Sequence, residues 1–87
     1  MEEKYLEITD KILSKVFKAE KDWGTDFDSK NTLNDWNAYV TIYMARAIKI
    51  NTPREEVLDG LYKAAGLIIT AIRWYESDKM PKRHYDD

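Results

Sequence analysis

Apolar residues recur along this chain at three- and four-residue steps and never alternate for long, so the pattern predicts helices and no strand. From Glu2 to about Lys21 one stripe is marked by Tyr5, Ile8, Ile12, Val16 and Ala19, and Leu6, Leu13 and Phe17 widen it. Glu7, Asp10, Lys11, Ser14, Lys15 and Lys18 fall on the other side, with alternating signs that suit a solvated face. A second helix is predicted over 33–50. Thr32 caps it, Asp35 complements its positive end, and Leu33, Trp36, Val40, Tyr43, Ala47 and Ile50 form its buried stripe. The third stretch, 53–78, is the longest and most apolar. Thr52 is the expected cap, Pro53 the first helical residue, and Glu55 the side chain that reaches back to complete a capping box.

Between Val57 and Tyr75 the apolar positions cover about two thirds of the helix circumference, where an ordinary surface helix hides only about a third. The remaining wedge holds Glu55, Asp59, Lys63, Gly66, Thr70 and Arg73. This helix therefore requires neighbours on at least two sides. Gly60 and Gly66, with Ala64, Ala65 and Ala71, thin it enough for another helix to come close.

The segment from Lys21 to Lys30 breaks the periodicity and is predicted as loop, with Gly24, Asp26, Asp28 and Ser29 as its turn formers. Trp23 and Phe27 either tuck that loop onto the helices or, for Trp23, line a site at its mouth. Asn51, Thr52 and Pro53 make a short connection that favours antiparallel neighbours. Pro81 bars further helix, and 79–87 is predicted as a polar tail. The expected architecture is all-α: a three-helix module in a single domain, 1–78, with helices at about 2–21, 33–50 and 53–78.

An 87-residue chain buries only about 60–65% of its unfolded surface, and without cysteine no disulfide offsets that. Oligomerisation is the expected remedy, so the module is expected to assemble into a helical homo-oligomer. The lone histidine, His84, lies in the tail, which leaves no nitrogen–sulfur metal site. A net charge of -2 with dispersed basic residues argues against duplex nucleic acid as partner. The start, MEEKYLEITDK, is charged from residue 2, and the uncharged run Ala64 to Ile72 is far too short to span a bilayer. A cytoplasmic location, without membrane partners, is therefore expected.

Three groups of residues suggest chemistry. Trp36, Tyr39, Tyr43 and Arg46 lie together on the second helix, where aromatic faces beside a guanidinium suit a nucleotide's base and phosphate. The competing explanation is that Trp36 and Tyr43 are core. Arg73 stands in an apolar neighbourhood and needs either an acidic partner or an anionic ligand. Glu56 with Asp59, and Glu7 with Asp10, are carboxylates three apart that suit Mg²⁺, although acids in a first turn also complement the helix dipole. There is no nucleophile–base pair and no glycine-rich phosphate loop.

The stretches AEKDWG (Ala19–Gly24), NDWNAYVTIYMARA (Asn34–Ala47) and LYKAAGLIITAI (Leu61–Ile72), in that order, resemble the small MazG-like all-α proteins of phages. Those are distant relatives of the all-α nucleoside triphosphate pyrophosphohydrolases. The resemblance implies a helical scaffold with a nucleotide-sized pocket. Enzymes of that superfamily hold Mg²⁺ with two glutamates three apart on one helix and a Glu/Asp pair on the next. Here Asp35 is the second helix's only acid. Glu56 and Asp59 stand for one half of such a set, and the other half falls to Glu7 and Asp10 or to Glu20.

The function this implies is non-catalytic binding of a nucleotide or nucleotide-derived signal, with no cofactor: a sponge in a phage-infected host's cytoplasm, sequestering an immune signal. Its contacts would be Trp36, Tyr39, Tyr43, Arg46 and Arg73, in a site shared between subunits. Two alternatives stand beside it. One is a Mg²⁺-dependent pyrophosphohydrolase using Glu56 and Asp59. The other is a protein–protein interaction module whose third helix docks on a host target.

Overall fold

The computed structural model describes residues 2–78, 80 and 81, without the side chains of Asp26 and Phe27. Four helices follow one another: α1 (Glu3–Trp23), α2 (Asp26–Lys30), α3 (Leu33–Ala47) and α4 (Arg54–Glu76), with no strand among the described residues. None is long and apolar enough to cross a membrane.

α2 is the element not anticipated. Gly24 takes a φ of 73°, the left-handed value glycine tolerates, and its N–H donates to the Glu20 carbonyl to close α1. The turn formers that follow then wind into one helical turn instead of a loop. Trp23, as the last residue of α1, is not tucked onto the helices: it is 80% exposed. The Phe27 side chain, His84 and most of the predicted tail lie outside the described residues.

The capping box forms at α3. Thr32, almost fully buried, accepts from the Asp35 N–H at 3.3 Å, and Asp35 Oδ2 accepts from the Thr32 N–H at 2.9 Å and from its hydroxyl at 3.1 Å. The box predicted at Thr52 and Glu55 is absent. The Thr52 hydroxyl instead donates to the Lys49 carbonyl at 2.8 Å, closing a turn in which Asn51 adopts a φ of 66°. Pro53 becomes the N-cap, and its carbonyl accepts from the N–H groups of Glu56 and Val57. The same turn ends α3 at Ala47, so Ile50, predicted as buried, is 90% exposed.

α4 packs against both α3 and α1, more extensively against α3. Glycine makes both approaches possible. A Cβ at Gly60 would sit 3.2 Å from the Tyr43 carbonyl oxygen, and one at Gly66 would sit 3.3 Å from Val16 Cγ2. Ala64, Ala47 and Trp36 fill the α3–α4 joint. α1 lies on the polar wedge of α4: Gly66 and Thr70 are buried there, the Thr70 hydroxyl donates to the Gly66 carbonyl, and Lys15 of α1 reaches Asp59 at 3.4 Å. No residue of α1 is fully buried. The apolar arc of α4, from Leu58 to Tyr75, stays largely open.

Candidate functional site

The position of α1 over the polar wedge of α4 creates a cleft. α1 supplies one wall with Lys15, Val16, Lys18, Ala19, Glu20, Asp22 and Trp23, α3 the other with Trp36 and Tyr43, and α4 the floor with Tyr62, Lys63, Gly66, Leu67 and Thr70. It encloses about 440 Å³, within the roughly 300–1,000 Å³ of small-molecule sites. The floor is low because Gly66 and Thr70 are small. Trp36 is held in the wall at 2% exposure, its ring edge-on to Tyr39 with centroids 6.4 Å apart. Its indole N–H is buried without a hydrogen-bond partner among the described residues.

The cleft carries both signs of charge. Lys15, Lys18 and Lys63 line it, as do Glu20, Asp22 and Asp28. Lys63 lies 2.9 Å from Asp59, Lys15 lies 3.4 Å from the same carboxylate, and Lys18 lies 3.1 Å from Asp22. Lys63 hydrogen-bonds Asp59, and that bond, working against desolvation and aided by both lysine charges, holds the Asp59 carboxyl below its ordinary value. The same hydrogen bond raises the Lys63 ammonium. Asp28 moves the other way: burial pushes its carboxyl up, the charge of Glu20 adds to this, and the charge of Arg73 opposes it.

Of the five residues read as ligand contacts, Trp36 and Tyr43 line this cleft. Tyr39 adjoins it through Trp36. Arg46 lies over the Tyr43 ring, 5.5 Å from its centroid, and Lys63 lies 5.7 Å from the same centroid. Arg73 is exposed, with its guanidinium 4.9 Å from the Trp74 ring centroid and its charge felt at Asp28. The five therefore do not form one pocket, and the cleft is built within a single protomer. Lys15, Lys18, Tyr62 and Lys63 are cleft residues that sequence reasoning missed. The only signal for them was that Tyr62 and Lys63 lie one helical turn before Gly66.

Trp23 stands at the cleft mouth, the second of the two readings its sequence allowed. Asp59, half of the carboxylate pair considered for Mg²⁺, is taken up by two lysines. Among the described residues, no group of three or more His, Cys, Asp and Glu side chains is arranged to hold a metal ion.

A second groove runs along the opposite side of α3 and α4, lined by Leu33, Val40, Ile68, Ala71, Ile72 and Tyr75 among others. It encloses about 690 Å³ and is mostly apolar. No protein-family model, no curated protein and no solved structure matches this chain.

Proposed function

We propose that this chain is a non-catalytic binding protein that takes a nucleotide-type ligand into the α1–α3 cleft and acts as an assembly of copies. The observation that carries the reading is the cleft's composition: four aromatic side chains, Trp23, Trp36, Tyr43 and Tyr62, and three lysines around one volume of nucleotide size. Trp23 is the free stacking platform, since Trp36 is buried and the Tyr43 ring already has two cations near it. The lysines are the phosphate donors. Each is now paired with a carboxylate on the surface, and such exposed pairs contribute only about 0–1 kcal/mol, so a phosphate exchanges readily with them.

Capture without turnover is favoured over pyrophosphohydrolysis by Asp59. Its neighbours are two lysines, and among the described residues no group of three or more His, Cys, Asp and Glu side chains stands around it to complete a Mg²⁺ site. The resemblance to phage MazG-like proteins supports a nucleotide-derived signal as the ligand, which makes the chain a sponge in a host cytoplasm.

Incubation with a panel of linear and cyclic nucleotides, with and without Mg²⁺, followed by denaturation and analysis of the released compounds, tests this. Intact ligand is expected, with quenching of Trp23 fluorescence on binding and loss of binding in Trp23→Ala. Released pyrophosphate would overturn the sponge in favour of the enzyme. Recovery of no nucleotide would overturn both.

A further inference from the structure

On the face of α4 turned away from α1 and α3 lie Leu58, Leu61, Ile68, Ile72 and Tyr75, all exposed, with the half-buried Ala65 between them. Their steps are three, four, three, four and three, which is the a/d seam of a helix that packs lengthwise against another helix. The five large residues among them are 41–63% exposed. They remain half-open because α1 and α3 occupy the other two sides of α4. Leu33, Val40 and Met44 of α3 continue the same face. Together these side chains form one apolar face, on the order of several hundred Å² by their fractional exposures. That approaches the ~800 Å² each partner buries in a stable dimer, and it is at the limit of what a monomer leaves in one patch.

The charges bordering the seam say what covers it. Arg54 begins α4 and Glu76 ends it, both close to the seam line at roughly 100° per residue. Neither Arg54 nor Glu76 has an ion pair with any described residue. Laid antiparallel on a second α4, with Ala65 at the two-fold axis, Arg54 meets Glu76 of the other copy, twice by symmetry. Laid parallel, Arg54 meets Arg54 and Glu76 meets Glu76. The antiparallel arrangement also sets the positive end of each helix beside the negative end of the other.

The geometry points to a second copy of this chain as the occupant: an isologous dimer in which α4 packs antiparallel on its counterpart about Ala65. The small side chain at the axis lets the two backbones approach. The start of the partner's α4 then lies over Ile68, Ile72 and Tyr75, and roofs the second groove. The interface is independent of what the α1–α3 cleft holds.

Because the chain has no cysteine, introduced thiols report the register directly. Antiparallel pairing about Ala65 places Leu58 of one copy opposite Ile72 of the other. Leu58→Cys and Ile72→Cys proteins, mixed and oxidised, are expected to give a cross-linked heterodimer in excess over either homodimer. Wild type should sediment as a dimer at micromolar concentration. Arg54→Glu or Glu76→Arg should each weaken it about tenfold, and the double exchange should restore it to within about twofold. Excess 58–58 and 72–72 cross-links would show a parallel pair and overturn the assignment. A wild-type monomer at tens of micromolar, with helical circular dichroism intact, would overturn it outright and leave the face to a different protein.

Discussion

α4 has two faces that the chain treats in opposite ways. The polar wedge, with Asp59, Lys63, Gly66 and Thr70, is covered by α1 and forms the floor of the cleft. The apolar arc, from Leu58 through Ile68 to Tyr75, is left open. Hydrophobicity alone orders these faces the other way round. The covered face is chosen by fit: Gly66 admits Val16, Thr70 satisfies its own hydroxyl within the helix, and Asp59 gives Lys15 a partner. The open face has the larger apolar area, and therefore the larger driving force for association with something beyond the protomer. Coverage within the chain and affinity for a partner are thus separate properties of one helix.

The largest effect on this division should come from Trp36, which lines both the cleft and the second groove. Truncating a buried tryptophan costs about 3–5 kcal/mol, a large share of the roughly 4–13 kcal/mol expected for a chain of this length. Trp36→Ala should therefore lose its cooperative thermal transition near room temperature. A well-folded Trp36→Ala protein would mean that the α3–α4 joint is held by Gly60, Ala64 and Ala47 without it.

A neighbouring pair gives the sharper comparison. Gly66→Val and Ala65→Val make similar additions one residue apart, on the covered and the open face. At Gly66 even the Cβ comes within 3.3 Å of Val16 Cγ2, so the two branching methyl groups drive α1 off. Overpacking of this kind costs about 1–3 kcal/mol, and each kcal/mol lowers Tm by about 4–8 °C in a domain of this size. Ala65→Val should leave protomer stability within about 0.5 kcal/mol and weaken self-association by separating the paired backbones. Calorimetry reads the first effect and sedimentation the second. Equal losses of Tm in the two variants would erase the distinction between the faces.

A smaller effect belongs to Asp59. Its carboxyl is held low in the folded state, so its contribution is present above its ordinary value of 3.8 and is lost as pH falls through the lower folded value. Lys63 is held high, so its share is present below 10.5 and is lost as pH rises through the folded value. The link between α1 and α4 should be constant across the range between these limits. Asp59→Asn should cost less than about 1 kcal/mol at neutral pH, because both partners are solvent-exposed. Urea melts at pH 7 and pH 3 measure it, and the difference from wild type should narrow at the lower pH.

The periodicity of apolar residues was enough to mark out α1, α3 and α4, because helical spacing is a local property of the sequence. Gly60 and Gly66 were legible as thinning of the last helix. Which helix each would admit was not legible, since both wedge and arc offer a packing surface and only tertiary geometry selects between them. The same holds for the site. Trp36 and Tyr43 could be named from one helix. Lys15, Lys18 and Lys63 looked like ordinary solvated charges until α1 was laid across α4. The Thr52 cap failed for a local reason that composition hides: Pro53 takes the N-cap position, and Thr52 belongs to the turn before it, where its hydroxyl donates to the Lys49 carbonyl.

The smallest effect concerns the acidic end of the cleft. Burial raises the Asp28 carboxyl, Glu20 raises it further, and Arg73 pulls it back. A raised carboxyl contributes stability that is complete below 3.8 and disappears as pH rises through the folded value, so ionised Asp28 is a cost at neutral pH. Asp28→Asn should then be stabilising at pH 7 by no more than about 0.5 kcal/mol, and neutral at pH 3. Arg73→Gln should raise the Asp28 carboxyl further, measurable by NMR titration of its side chain. If the cleft takes an anionic ligand, Asp28→Asn should also tighten binding, since it removes a negative charge from the wall. Stabilisation without tighter binding would separate the two roles. It would mean that the ligand's charge lies toward the lysines, away from Asp28.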